Sequence, residues 1–228
     1  MSLTTLFAQA TAMTLGLALT SLVLGLVLAV IIALAELSRF RPLSLLTTAV
    51  VTLLRGLPEI LVVFFIYFGS THALFLLTGQ FIEVSSFVAG TIALSLIYGA
   101  YASQTLRGAF MAIPKGQTEA AKSLGIRPRH YFFGIILPQA WRHALPGLGV
   151  QWLVLLKDTA LVALIGVHEV LFQAKMVAVS TYEPFTWYAI AAALYLVITL
   201  VSQYILDYLK VRSNRHLTSL AEEKSLTL

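Results

Sequence analysis

The sequence predicts an all-α polytopic membrane protein, and three observations carry that prediction. Charged residues make up 11% of the 228 positions, against about 25% in soluble domains. The apolar residues fall in blocks of about 20, the length a helix needs to cross about 30 Å of hydrocarbon. The alternating segments of about ten residues that mark transmembrane β-strands are absent.

The first block covers residues 10–35. It is too long for a signal-peptide core and lacks a basic lead-in, so it is expected to stay as span 1. Residues 43–77 are apolar but too many for one crossing, even a tilted one. They divide into a lead-in helix over 43–53 and span 2 over 54–77, followed by a polar turn over 78–83. Span 3 runs over 86–106, and a basic loop fills 107–143. Span 4 covers 145–167, and a partly helical connection follows over 168–184. Span 5 covers 185–209, so that 1–228 forms one transmembrane domain with five crossings.

The net charge of +5 could suggest nucleic acid, but in a membrane protein surplus Lys and Arg mark the cytoplasmic loops. Arg39, Arg41, Arg107, Lys115, Lys122, Arg127, Arg129, Arg142, Lys210, Arg212, Arg215 and Lys224 fall on one side of the predicted spans, and essentially only Lys175 on the other. The expected topology puts the N-terminus outside and the C-terminus in the cytoplasm. Trp187 and Tyr188 near one end of span 5, with Tyr204 and Tyr208 near the other, fit interfacial aromatic belts.

Cysteine is absent, which excludes disulfides, thiolate catalysis and Cys-based metal sites. His72, His130, His143 and His168 have neither metal-ligand spacing nor acidic neighbours, so no metal is expected. No nucleophile–base constellation is readable, and no catalytic residue is assigned. No Gly-Lys pair occurs, hence no phosphate-binding loop. ATP-driven work would have to be done by a partner.

Charges inside apolar segments cost at least about 2.5–3.5 kcal/mol each and usually face a cavity or a partner. Arg55-Gly-Leu-Pro58-Glu59 is one such cluster. On a continuous helix Arg55 and Glu59 share a face, while Pro58 disturbs the bond to the Leu54 carbonyl. Arg55 either reaches out to the interface or joins Glu59 along a pathway. The second cluster, Lys157-Asp158-Thr159, falls near the middle of span 4. Neighbouring residues diverge by about 100°, so Lys157 and Asp158 each need another partner: an interhelical ion pair, a freed carbonyl or a substrate.

The basic loop contains "EAAKSLGIRPRHYFFGIILP". Residues 119–124 favour helix, Gly125 can end it in the left-handed conformation, and Pro128 fits the start of a second helix. Tyr131, Phe132, Ile135 and Ile136 give that helix an apolar face. An ordinary polar connection is the plain alternative. Yet Glu119-Ala120-Ala121, three residues, Gly125, nine residues, then Ile135-Ile136-Leu137-Pro138 resembles the EAA loop of ABC-importer permease subunits. "RGLPEILVVFFIYFG", "YGAYASQTLRGAF", "QWLVLLKDTALVALIG" and "EPFTWY" are similar to the polar amino-acid branch, and most similar to its arginine-type subunits.

That resemblance implies a five-helix core in the bacterial inner membrane, working with an ATP-binding subunit and a periplasmic solute-binding protein. No cofactor is expected on this chain, with ATP-Mg held by the ATPase. Glu119, Ala120, Ala121, Gly125, Ile135, Leu137 and Pro138 would form the ATPase-coupling element. Arg55, Pro58, Glu59, Lys157, Asp158 and Thr159 would line the substrate pathway, with the two acids drawing a cationic side chain. One chain would supply half of the pathway, beside a sister permease or a second copy. Arginine import is the leading expectation, with histidine, glutamine or another polar amino acid as alternatives; a passive channel is the competitor from another class. The resemblance also implies that a helix within 168–184 lies under the solute-binding protein.

Overall fold

The computed structural model describes residues 2–80 and 82–225. Met1, Phe81 of the expected turn, and residues 226–228 at the end of the expected domain lie outside them. The described residues form helices and no strand, in the order α1 (Leu3–Glu36), α2 (Arg41–Gly56), α3 (Glu59–Thr78), α4 (Ser86–Met111), α5 (Lys115–Ser123), α6 (Pro128–Tyr131), α7 (Leu137–Asp158), α8 (Val170–Thr181) and α9 (Pro184–Ser225). A π turn, Phe132–Ile136, joins α6 to α7, and a 3-10 segment, Thr159–Ile165, extends α7. Five helical stretches among the described residues are long and apolar enough to cross a membrane: Leu3–Glu36, Glu59–Thr78, Ser86–Met111, Pro128–Ile165 and Pro184–Arg212.

Helix α4 is the centre: 67% of its apolar window is buried, against 11% for α3 and for α9. Its main partner is α1. Burial on α1 recurs at helical spacing through Ala10, Thr14, Leu17, Ser21, Gly25, Ala29 and Ala33. Lipid is as apolar as leucine, so helices associate there by close packing of small residues and by hydrogen bonds. Gly25 and Gly99 bring the two backbones together: a Cβ on Gly25 would fall 2.7 Å from Tyr98 Cδ1, and one on Gly99 would fall 3.3 Å from the Gly25 carbonyl oxygen. One helical turn away, Ser95 Oγ donates to the Thr91 carbonyl at 2.6 Å and faces the Ser21 carbonyl at 3.3 Å. Thr105 packs on Gly147 in the same manner, seating α7 on α4.

Two expectations are corrected. The lead-in helix runs on to Gly56 and takes Arg55 with it, so Arg55 and Glu59 share no helix face. Proline lacks an N–H and pushes the residue before it out of the helical region; Leu57 is accordingly extended, at φ −88° and ψ 145°. Pro58 therefore starts α3 instead of kinking a span, and its carbonyl accepts from Leu61 at 2.9 Å.

The second half of the expected 107–143 loop is also helical and continuous with span 4, from Pro128 to Ile165. The π turn lies just before Pro138, which cannot bond four residues back and whose ring crowds the Gly134 carbonyl. Leu137 N–H instead bonds the Phe132 carbonyl five residues back.

Gly25→Val should lower the thermal unfolding temperature in detergent by an amount equivalent to about 1–3 kcal/mol, through overpacking of the α1–α4 contact. Gly16→Ala, at a position with nothing within 4 Å of a new Cβ, should hold or raise that temperature.

Candidate functional site

Tyr101, on α4, gathers the first cluster. Its phenol lies 3.4 Å from the Arg55 carbonyl oxygen and 3.5 Å from Glu59 Oε1, at the long limit of hydrogen bonding. The Arg55 guanidinium carbon stands 5.3 Å from the Tyr101 ring centroid, a cation–π distance. Arg55 thus reaches the site over an aromatic face from the end of α2, and Glu59 reaches it from the first turn of α3. Among the described residues these two make no ion pair; the only one there is Lys210–Asp207.

Asp158, the last residue of α7, lines the same crevice as Tyr101. A crevice between α4 and α7 is lined by Tyr98, Tyr101, Gln151, Val154 and Asp158. Gln151 lies seven residues before Asp158, two turns along the same face. The crevice measures about 10 Å³, too small to enclose an amino acid.

The three successive residues 157–159 diverge as helix geometry requires. Asp158 is half-buried at the crevice, while Lys157 is exposed on the outside of the bundle. Thr159 is fully buried and its hydroxyl donates to the Leu156 carbonyl at 2.7 Å. It turns away from the crevice, correcting its expected place beside Asp158.

The EAA segment is a rigid knob. Gly125 has φ +70°, and the two bonds of a Schellman motif close α5: Ile126 N–H to the Ala121 carbonyl and Gly125 N–H to the Lys122 carbonyl, both at 3.0 Å. Pro128 opens α6. Underneath, Ile113, Ile136 and Ala140 form a small apolar core with Phe110, Tyr131 and Phe132 against it. Phe110 and Phe132 stack at 6.2 Å. Glu119, Ala120, Leu124 and Phe133 face outward, whereas Ala121 and Ile136 are buried. Ile135 and Leu137 are half-buried and Pro138 is exposed, so the EAA pattern divides into an outer exposed face and an inner anchoring face.

Two buried polar sites escape sequence reading. Glu36, 5% exposed at the end of α1, receives both its hydrogen bonds from Gln104 Nε2 at 2.9 and 2.8 Å. Ser44 Oγ also donates to the Glu36 carbonyl, tying α2 to the same corner. Glu169 is fully buried at the start of α8; it accepts from Leu171 N–H at 2.8 Å, Phe172 N–H at 2.7 Å and the Tyr195 phenol at 2.5 Å. Burial pushes its carboxyl above the usual range, and these three donors oppose that shift. The helical part of the connection expected over 168–184 runs over Val170–Thr181, with this acid as its N-cap.

Comparison with known proteins identifies the family. The model for the "Binding-protein-dependent transport system inner membrane component" matches residues 21–215. The chain belongs to this permease family. It is 53% identical to the arginine ABC transporter permease protein ArtQ of Escherichia coli K12, over 91% of this chain and 94% of that one. Identity to ArtQ of Haemophilus influenzae is 56%, covering 89% and 91%. The histidine/lysine/arginine/ornithine permease HisQ of E. coli K12 is 41% identical, covering 90% and 91%. Among solved structures, an amino acid ABC transporter with histidines superposes with a TM-score of 0.81 at 32% identity, covering 92% and 94%. The permease is thus an inner-membrane subunit of an ABC importer, and it has the fold of that group.

Gln104→Leu leaves the Glu36 carboxylate of this permease buried without a donor. It should destabilise the purified protein by about 1–3 kcal/mol, read as a lower midpoint in thermal unfolding, and Glu36→Gln in the same background should recover part of the loss.

Proposed function

We propose that this permease subunit imports arginine by alternating access, with Glu59, Tyr101 and Asp158 receiving the guanidinium. The observation that carries the reading is that the Tyr101 phenol, on α4, lies 3.5 Å from Glu59 of α3 and shares a crevice with Asp158 of α7. A guanidinium is planar and offers five donors, so it suits paired carboxylates beside an aromatic ring. Acids there offset the loss of its hydration. The names of the ArtQ relatives support arginine, while the HisQ relative makes histidine, lysine and ornithine the comparison substrates.

A facing wall comes from a second permease subunit, either a copy of this chain or a sister. The N-terminus lies outside and the C-terminus in the cytoplasm, which brings the basic EAA knob to an ATP-binding subunit carrying ATP-Mg. A periplasmic solute-binding protein delivers the amino acid at the α8 end. Glu119, Ala120 and Leu124 form the contact face toward the ATPase, while Ala121, Gly125 and the Phe110–Phe132 stack keep the knob stiff enough to pass on its movement. Pro58 ends the lead-in helix, so that α3 can carry Glu59 independently of α2.

In reconstituted complexes that assemble normally, Asp158→Asn and Glu59→Gln should each raise the apparent KM of arginine-stimulated ATPase by about tenfold or more, the worth of one charge-assisted hydrogen bond. Wild-type affinity and rate in both would overturn the arginine reading. Gly125→Pro imposes φ near −65° and removes the Gly125 donor. It should leave ATP hydrolysis running while transport falls, with solute affinity of the binding protein unchanged; normal coupling in that variant would overturn the role of the knob.

A further inference from the structure

The buried acid at the start of α8 does more than end a helix. Both Glu169 oxygens are used, one on Phe172 N–H and the other on Leu171 N–H and the Tyr195 phenol. The remaining first-turn donor, Val170 N–H, goes to Thr14 Oγ1 of α1 at 3.3 Å. A serine cap would serve a first-turn backbone N–H at a lower desolvation cost, and an aspartate at a similar one. The longer glutamate is needed for the reach to Tyr195 on α9. No ion pair involves Glu169 among the described residues, so its charge is held by neutral donors and by the α8 N-terminus.

Tyr195 carries the connection inward. The hydroxyls of Thr14 and Thr159 act on its phenol, Tyr195 packs against the apolar cluster of Phe7, Ala10, Val170 and Ala174, and α8 is packed against α1, α9 and the 3-10 segment. Thr159 follows Asp158 directly and begins the 3-10 segment. The other end of that segment is pinned by Ser86 Oγ, which donates to the Ile165 carbonyl at 2.7 Å. Three side chains therefore lead from the first turn of the α8 helix to the residue next to the pathway acid.

We propose that Glu169 is a positioning residue, a latch that acts through Tyr195 and Thr159 to make α8 and the Asp158 carboxylate shift together. The inference rests on the pathway reading of Asp158. A solute-binding protein that docks over α8 thereby acts on the substrate wall through hydrogen bonds as well as through the backbone link at Gly166 and Val167. The geometry suits such a link because a short, desolvated bond between a phenol and a carboxylate is directional and excludes water.

The chain has no cysteine, so two introduced thiols are the only ones it carries, and it is labelled before assembly with its partners. Labels at Lys175→Cys on α8 and Leu164→Cys on the 3-10 segment occupy exposed positions. They are measured in the assembled complex with its ATPase and binding protein, with and without ATP. A narrow spin–spin distance within the subunit, the shortest one measured, is expected to persist across both states. Tyr195→Phe and Glu169→Gln should each broaden that distance and raise the apparent KM for arginine by about tenfold, the worth of one charge-assisted bond. Basal ATPase should remain unchanged. A wild-type distance in both variants overturns the latch, whatever transport does. Broadening in the variants together with wild-type transport in Asp158→Asn upholds the latch and overturns the pathway reading alone.

Discussion

The close approach of α1 and α4 is the contact on which the other helices depend. In water a helix pair is driven together by its apolar stripe; in lipid that force is missing, and only fit and hydrogen bonding remain. Gly25 and Gly99 supply the fit, and Ser21 and Ser95 supply polar contacts that would otherwise be unpartnered. With this seam closed, α4 offers a second face to α7 through Thr105 and Gly147 and a third to α3. Tyr101 and Gln104 sit on that central helix, so both the candidate pathway and the Glu36 corner take their positions from the seam.

The distribution of polar groups follows from the same constraint. Each buried acid off the pathway is satisfied by neutral donors: Glu36 by an amide, Glu169 by two backbone N–H groups and a phenol. The two carboxylates of the proposed pathway are differently placed. Asp158 is half-exposed along the crevice, and Glu59 has only a long contact to Tyr101. Acids that already hold short bonds act as struts, and acids with spare lone pairs are the ones available to an incoming cation.

Much of this was readable before the fold was known. Block length marked the spans, and the stop at Gly125 and start at Pro128 follow from backbone chemistry alone, because left-handed φ and a missing N–H are properties of single residues. The break at Leu57–Pro58 was visible as a disturbance, but whether proline kinks a helix or begins a new one depends on what packs around it. Tyr101, Gln104 and Tyr195 were not legible as site residues. Their partners lie 26–68 positions away, and pairing at that range is set by the rotational phase of packed helices. Spans that are apolar all round give little periodicity from which to read that phase. Thr159 shows the same limit, since one further residue of helical rotation, about 100°, takes it out of the crevice lining and into the buried interior.

The π turn at Phe132–Ile136 bears on that rotation. Widening a helix by one residue turns everything beyond it by about 100° relative to an unbroken α-helix. On one side of this turn lie α5 and α6 with the EAA face; on the other lies α7, with Gln151 and Asp158. On the proposed function, the bulge works as a phase plate between the end that would meet the motor and the end that would meet the cargo. Loss of a single residue there would leave both surfaces chemically intact yet out of angular step. Chain length between Tyr131 and Leu137 is thus itself a functional quantity, separate from the identity of the residues that fill it.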